Sequence, residues 1–307
     1  MAAEDGRRGS LLIITLWLVI ILGALATAVA RYLSVEVQLT KYRVARQEAR
    51  ALARSGIYLA MNLLQEDPTP QYDWRGDAWA QPLSITPAIG QQVSLVITDE
   101  ERKINLNTAT ALHLSQLLGQ ADLAQTLVDY HDPSDPAEDR LTDDPPYYAK
   151  NDRIVVLEEV SDVPGMEPGL YETLLAQATP HTEVGAAGGP LNINTVTPEV
   201  LETVGIRPQT IEAIVQFRDS PNGPFQEAGL MLAETLQAQG LVLDDETERN
   251  LLVSDLFRVS SRVFTVVSEA VVERPAVRVR IQAAIQRPAE GSGISVPQVI
   301  AWREGLS

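Results

Sequence analysis

Residues 11–30, LLIITLWLVIILGALATAVA, hold no charged side chain and no proline. At about 1.5 Å of rise per residue they make a helix about 30 Å long, the thickness of a bilayer's hydrocarbon core, and they are read as a membrane span. A secretory signal peptide has a shorter apolar core ending in small residues at a cleavage site, whereas here a helical pattern runs on past the apolar stretch. Arg7 and Arg8 stand just before it. Positive flanks are held on the cytoplasmic side, so the N-terminus is expected inside and the rest of the chain across the membrane.

Between the basic flank and the span stands Gly9, followed by Ser10, Leu11, Leu12, Ile13 and Ile14. A short basic leader that ends in glycine directly before an apolar helix resembles the type IV prepilin signal. The resemblance implies a cut by prepilin peptidase between Gly9 and Ser10, on the cytoplasmic side, and N-methylation of the new terminus. Glycine suits such a site because no side chain obstructs an enzyme's approach to the backbone. Most pilin-like chains carry Glu at the fifth mature position, where this one has Ile14. A carboxylate in lipid is costly and is kept only with a partner. In the pilin family that partner is the terminal amine of the subunit above, and a subunit with nothing above it needs no such group. Ile14 is therefore read as a tip-specific position.

The whole chain is 45% hydrophobic, which is globular rather than disordered, and residues 31–307 suffice for one large or two ordinary domains. A net charge of -17 argues against a nucleic-acid partner, since that binding depends on Lys and Arg displacing counterions. With no cysteine there are no disulfides, thiolate metal sites or cysteine nucleophiles.

From Arg31 to Glu66 there is no proline, and Val44, Leu52, Tyr58, Met61 and Leu64 fall at broadly helical intervals, so the span is expected to continue as an amphipathic helix to Asp67 and Pro68. Pro68, Pro70, Gly76 and Pro82, with Trp74 and Trp79, read as a loop packed by aromatics. Gln92 to Thr98 alternates as a strand. The pattern then changes to short helices for about 150 residues. Within them INLNTAT at 104–110 returns as LNINTVT at 191–197, an internal duplication. Asn107, Thr110, Asn194 and Thr197 precede helices and are read as caps. Strand periodicity returns at Phe257, Val259 and Ser261, then at 266–272 and 277–285, with a hairpin turn at 273–276 and a short final strand at 296–302. The expected class is α+β: a long N-terminal helix packed on an antiparallel sheet, with a large α-helical domain inserted between strands.

Asp129, Asp132, Asp135, Glu138, Asp139, Asp143 and Asp144 crowd into one segment broken by Pro133 and Pro136. All-oxygen donors suit Ca2+, while a solvated acidic loop accounts for the same run. The segment is not an EF-hand, because Ala137 stands where the turn glycine belongs.

The order of these pieces resembles the GspK family of type II secretion minor pseudopilins: the Gly9 leader, no Glu at Ile14, the duplicated segments, the acidic stretch leading to Pro145, Pro146, Tyr147, Tyr148 and Asn151, and the terminal Trp302-Arg303-Glu304-Gly305. The resemblance divides the chain into a leader (1–9), a transmembrane helix (10–30), a pilin-like domain in two parts (31–99 and 256–307) and an inserted helical domain (100–255). It implies a non-enzymatic subunit at the tip of the periplasmic pseudopilus, with the pseudopilins GspI and GspJ as partners. It also implies an inner-membrane anchor and a calcium-bound helical domain.

A membrane-anchored helix-hairpin-helix DNA receptor is the rival reading. Its hairpins would be Pro164-Gly165-Met166 and Gly205-Ile206-Arg207-Pro208, but Pro208 lacks an N–H and the acidic surroundings repel phosphate. An enzyme is not indicated: His113, His131 and His181 are scattered, and His131 with Asp132 and Asp135 falls short of a convincing zinc site.

Overall fold

The computed structural model describes residues 5–133, 147–182, 186–288 and 296–305, with the backbone alone for 5–12. Helix α1 (Asp5–Gln65) is 61 residues long and unbroken. Its first half is bare, every described residue from Ile13 to Val44 being exposed. Packing begins at Ala45 and follows the stripe Ala45, Ala49, Ala53, Ile57, Ala60 and Leu64, at the spacing that keeps residues on one helix face. Four of these six are alanine, so the helix axis lies close to whatever covers it.

What covers it is a five-stranded antiparallel sheet. Strands β1 (Leu83–Ile85) and β2 (Gln91–Asp99) precede the inserted domain, and three strands follow it. The inserted domain opens with β3 (Ile104–Asn105), α2 (Ala111–Leu118) and α3 (Ala121–His131), then a 3-10 turn at Leu157–Asp162, α4 (Pro168–Gln177) and β4 (Ala178–Thr179). It begins again with β5 (Leu191–Asn192), α5 (Pro198–Thr203), α6 (Pro208–Arg218), α7 (Leu230–Ala238), α8 (Glu246–Val253) and β6 (Phe257–Arg258). The sheet resumes with β7 (Val263–Glu273), β8 (Ala276–Gln286) and β9 (Gln298–Gly305), in the order β1-β2-β7-β8-β9. Because Asp99 pairs with Phe264, the chain leaves the sheet and re-enters it on neighbouring strands. An insertion of any size whose ends meet there leaves the sheet intact.

Val93, Leu95, Ile97, Phe264, Val266, Val279 and Ile281 form the core under α1. The aromatic loop closes its end, with Trp79 buried and edge-on to Phe264 at 5.0 Å between ring centroids. A second, separate core fills the inserted domain, around Ile104, Leu106, Leu127, Leu174, Leu191, Ile193, Leu201 and Phe257.

The duplication is a duplication of structure. In each half a two-residue strand opens the unit, helices follow, and a second two-residue strand returns parallel to the first: β3 with β4, β5 with β6. The sequence expectation that Phe257, Val259 and Ser261 begin the late part of the main sheet is corrected here. Phe257 pairs with Leu191 inside the inserted domain, and the main sheet restarts at Val263.

The cap assignments divide. Thr110 Oγ1 accepts from the His113 N–H at 3.2 Å and Thr197 Oγ1 from the Val200 N–H at 3.3 Å, as N-caps do. Asn107 and Asn194 are not caps. Asn194 donates through Nδ2 to Phe225 O at 2.9 Å and accepts the Phe225 N–H on Oδ1 at 2.9 Å. Asn107 likewise donates to Ile154 O at 2.9 Å and accepts the Ile154 N–H at 2.7 Å. Each amide acts as one residue's worth of strand edge, holding a returning segment that has no strand of its own.

The tightest point of the α1–sheet contact is Gly56. A Cβ there would lie 2.1 Å from Ser268 Oγ and 3.3 Å from Val93 Cγ1. Ser268 is fully buried and its hydroxyl has no hydrogen-bond partner. Gly56→Ala is expected to lower unfolding stability by about 1–3 kcal/mol despite alanine's better helix propensity. Ser268→Ala should be near neutral alone and recover part of that loss in the double variant. Thermal unfolding of the four proteins checks it; additive effects would show that the two residues are not in contact.

Candidate assembly site

Two kinds of surface emerge from this architecture: a bare apolar helix that cannot remain in water, and a head whose two parts are locked together. Every described residue of α1 from Ile13 to Val44 is exposed, and the apolar span within it is wholly uncovered. It is long and apolar enough to cross a bilayer once. Gly9 and Ser10 lie within the helical backbone, so the expected cut falls in the first turns of one continuous rod. Ile14 is 60% exposed.

The lock between the two parts of the head is polar and buried. Asp99, the last residue of β2, accepts on Oδ2 from Thr195 Oγ1 at 2.5 Å, Ser261 Oγ at 2.6 Å and Asn192 Nδ2 at 3.1 Å, and on Oδ1 from the Glu101 N–H at 2.8 Å. Asn192 and Thr195 belong to the second duplicated segment, so its LNINT run fastens the inserted domain to the sheet. Beside it, Arg287 donates through Nη1 to both oxygens of Asp73 at 2.7 and 2.9 Å and through Nη2 to Asp67 at 2.8 Å. Asp73 also accepts the Ser261 N–H at 2.7 Å. Burial pushes the Asp73 carboxyl up to about 7, opposed by the Arg287 charge and the Ser261 N–H. Burial raises Asp99 too, against its four donors.

Asp67, Asp73 and Asp77 are the carboxylates that gather within 4.8 Å among the described residues, but the cation between Asp67 and Asp73 is Arg287 itself. This group was missed in the sequence. Its residues lie more than two hundred positions apart from their partner, and the one local signal is an arginine placed directly after a strand.

Of the acidic segment, Asp129 and Asp132 are described, while Asp135, Glu138, Asp139, Asp143 and Asp144 lie outside the described residues. Asp129 accepts from Gln125 Nε2 at 2.7 Å, and Asp132 is the C-cap of α3. Carboxylates at a helix C-terminus face the negative end of the dipole, an arrangement that a nearby cation relieves. Tyr147, on the far side of the segment, packs against Tyr130, and the Asn151 N–H donates to Tyr130 O at 2.8 Å, so the acidic run leaves and returns at one place. His131 is buried, and its Nδ1 is bonded to Leu127 O at 2.7 Å.

In the hairpin between α5 and α6, three backbone donors are already taken. The Gly205 N–H donates to Glu202 O at 2.9 Å, the Ile206 N–H to Leu201 O at 3.0 Å, and the Arg207 N–H to Glu248 Oε1 at 2.8 Å. Arg207 Nε grips the other Glu248 oxygen at 2.8 Å, and Glu248 is 2% exposed. A carboxylate of α8 thus fills the place that an anion takes at a helix N-terminus.

One apolar-headed helix carrying an antiparallel sheet on its distal half, with a helical domain spliced between adjacent strands, defines an α+β fold of pilin-like build. The fold is GspK-like. The chain is similar to a chain of the crystal structure of the GspK-GspI-GspJ complex from the type 2 secretion system of enterotoxigenic Escherichia coli, at 20% sequence identity and a TM-score of 0.67, over 87% of this chain and 99% of that one. No family model matches the chain, and no curated protein matches it by sequence.

Proposed function

We propose that this chain is a minor pseudopilin of a type II secretion system, a non-enzymatic subunit at the tip of the pseudopilus that starts its assembly with GspI- and GspJ-type partners. The single observation that carries the reading is the shape of the head. A helical domain with its own core projects from one end of a sheet that rides on α1, and stacked subunits whose N-terminal helices lie side by side leave little room for such a domain at ordinary packing density. At the tip there is room.

The likeness to a chain of the GspK-GspI-GspJ complex supports the same partners. Ile14 supports the tip, since a first subunit meets no amine above it and burying an unpaired carboxylate in lipid costs several kcal/mol, on the order of its desolvation. The anchor crosses the inner membrane with Arg7 and Arg8 inside and the head in the periplasm. Prepilin peptidase cuts after Gly9 and leaves Ser10 as the methylated terminus. The DNA-receptor alternative is disfavoured by the filled α5–α6 hairpin and the charge of -17.

Gold labelling of the assembled fibre is expected to mark this chain at one end, and chain extracted from it should begin at Ser10. Label along the whole fibre, or a start at Met1, contradicts the reading.

Calcium is the proposed ligand of the acidic segment, held by Asp129 and Asp132 at the end of α3 together with carboxylates from Asp135, Glu138, Asp139, Asp143 and Asp144. An ion there would draw the ends of the run together and offset its repulsion. Thermal melts of the head are expected to shift upward with Ca2+ and downward with chelator. Equal midpoints would leave a solvated acidic loop.

A further inference from the structure

The end of the head nearest the anchor carries two turns side by side. The β7–β8 turn packs next to α1, and Glu273 N–H donates to Gly90 O at 2.9 Å, which ties the β1–β2 turn to it. Ile89, in that second turn, is fully exposed at 104%. Between α1 and the β7–β8 turn lies an open groove of about 710 Å3, lined by Val35, Leu39, Lys41, Tyr42, Arg274 and Pro275, among others. Its walls are largely apolar, and among its charged lining residues Lys41 and Arg274 outnumber Glu273.

The charges here run against the rest of the chain. Arg31, Lys41, Arg43 and Arg274 stand against Glu36 and Glu273 in a protein of net charge -17, and none of the four cations has an ion-pair partner among the described residues. At about 1.5 Å per residue, Val35 and Tyr42 stand about 7 and 18 Å past Ala30 along α1. The headgroup layer is about 5–7 Å deep on each side of the hydrocarbon, and a membrane helix tilts by about 20° on average. The groove's near end therefore lies at the outer edge of the headgroup layer, and a tilt toward the hairpin side lowers Arg274 and Ile89 toward it.

We propose that this edge is a docking surface for anionic phospholipids: headgroup phosphates meet Lys41 and Arg274, part of an acyl chain enters the groove, and Ile89 dips into the interface. It would hold the head against the membrane before the subunit is drawn into a fibre. The proposal rests on α1 being the membrane anchor.

The chain has no cysteine, so Ala276→Cys carries a single fluorophore at this edge. Full-length protein is placed in nanodiscs of phosphatidylcholine, alone or mixed with phosphatidylglycerol, with a headgroup-nitroxide lipid as quencher. Quenching is expected to be stronger in the mixed discs and to weaken in high salt. Lys41→Gln with Arg274→Gln should lower the docked-to-undocked ratio by about 30-fold, each cation near an anionic surface being worth about fivefold. Ile89→Ser should lower it further. Trp17, within the apolar run, reports the anchor separately through quenching by brominated acyl chains. If Trp17 is not quenched, the anchor reading itself falls. If Trp17 is quenched while the edge label responds equally in both lipid mixtures, the docking surface alone is overturned. A label that follows the number of protein copies per disc rather than lipid charge gives the groove to a second chain and overturns it equally.

Discussion

The close approach of α1 to the sheet governs what the rest of the molecule can be. Ala45, Ala49, Ala53, Gly56 and Ala60 put almost no side-chain bulk between helix and strands, and Gly56 meets Ser268 where a Cβ would not fit. A helix seated this closely on β7 and β8 is a rigid lever: the half that emerges from the head is aimed by the half that is buried. The bare half is long and apolar enough to cross a bilayer.

A second constraint explains how so large a head is attached without loosening that seat. β2 and β7 are hydrogen-bonded neighbours, so the inserted domain begins and ends at one point on the sheet, and Asp99 at that point accepts bonds from Asn192, Thr195 and Ser261. Isolated carboxylates in so dry a place would be costly; here each oxygen has donors. Arg287 does the same for Asp67 and Asp73 at the end of α1, its Nε donating to Leu64 O at 3.2 Å. The head is two cores joined by a polar seam that fastens the insertion to the end of the sheet.

Much of this was legible in the chain itself because its signals are periodic. Uncharged residues 11–30 and the alternation in β2 and β8 each depend on local spacing, and INLNTAT against LNINTVT betrayed the duplication, whereas the alanine stripe of α1 was hidden behind larger apolar residues such as Val44 and Tyr58, which are exposed. What stayed hidden depends on distance in sequence. Asn107 and Asn194 look like caps because asparagine before a helix usually is one, and only the fold brings Ile154 and Phe225 to their amides. β1, three residues long beside prolines, has too few positions to alternate. Arg287 and Glu248 each satisfy groups far along the chain, and no pattern local to either announces the partner.

The account stands or falls on whether the head, freed of its span, is built to join other pseudopilins. Residues 31–307 are co-expressed with the soluble regions of GspI- and GspJ-type partners and run on size exclusion with light scattering. The expected result is one complex containing all three chains, in which the inserted domain remains open to protease and the face of α1 beyond Arg31 becomes protected. Elution of this chain as a lone monomer, with α1 as accessible as before, would contradict it.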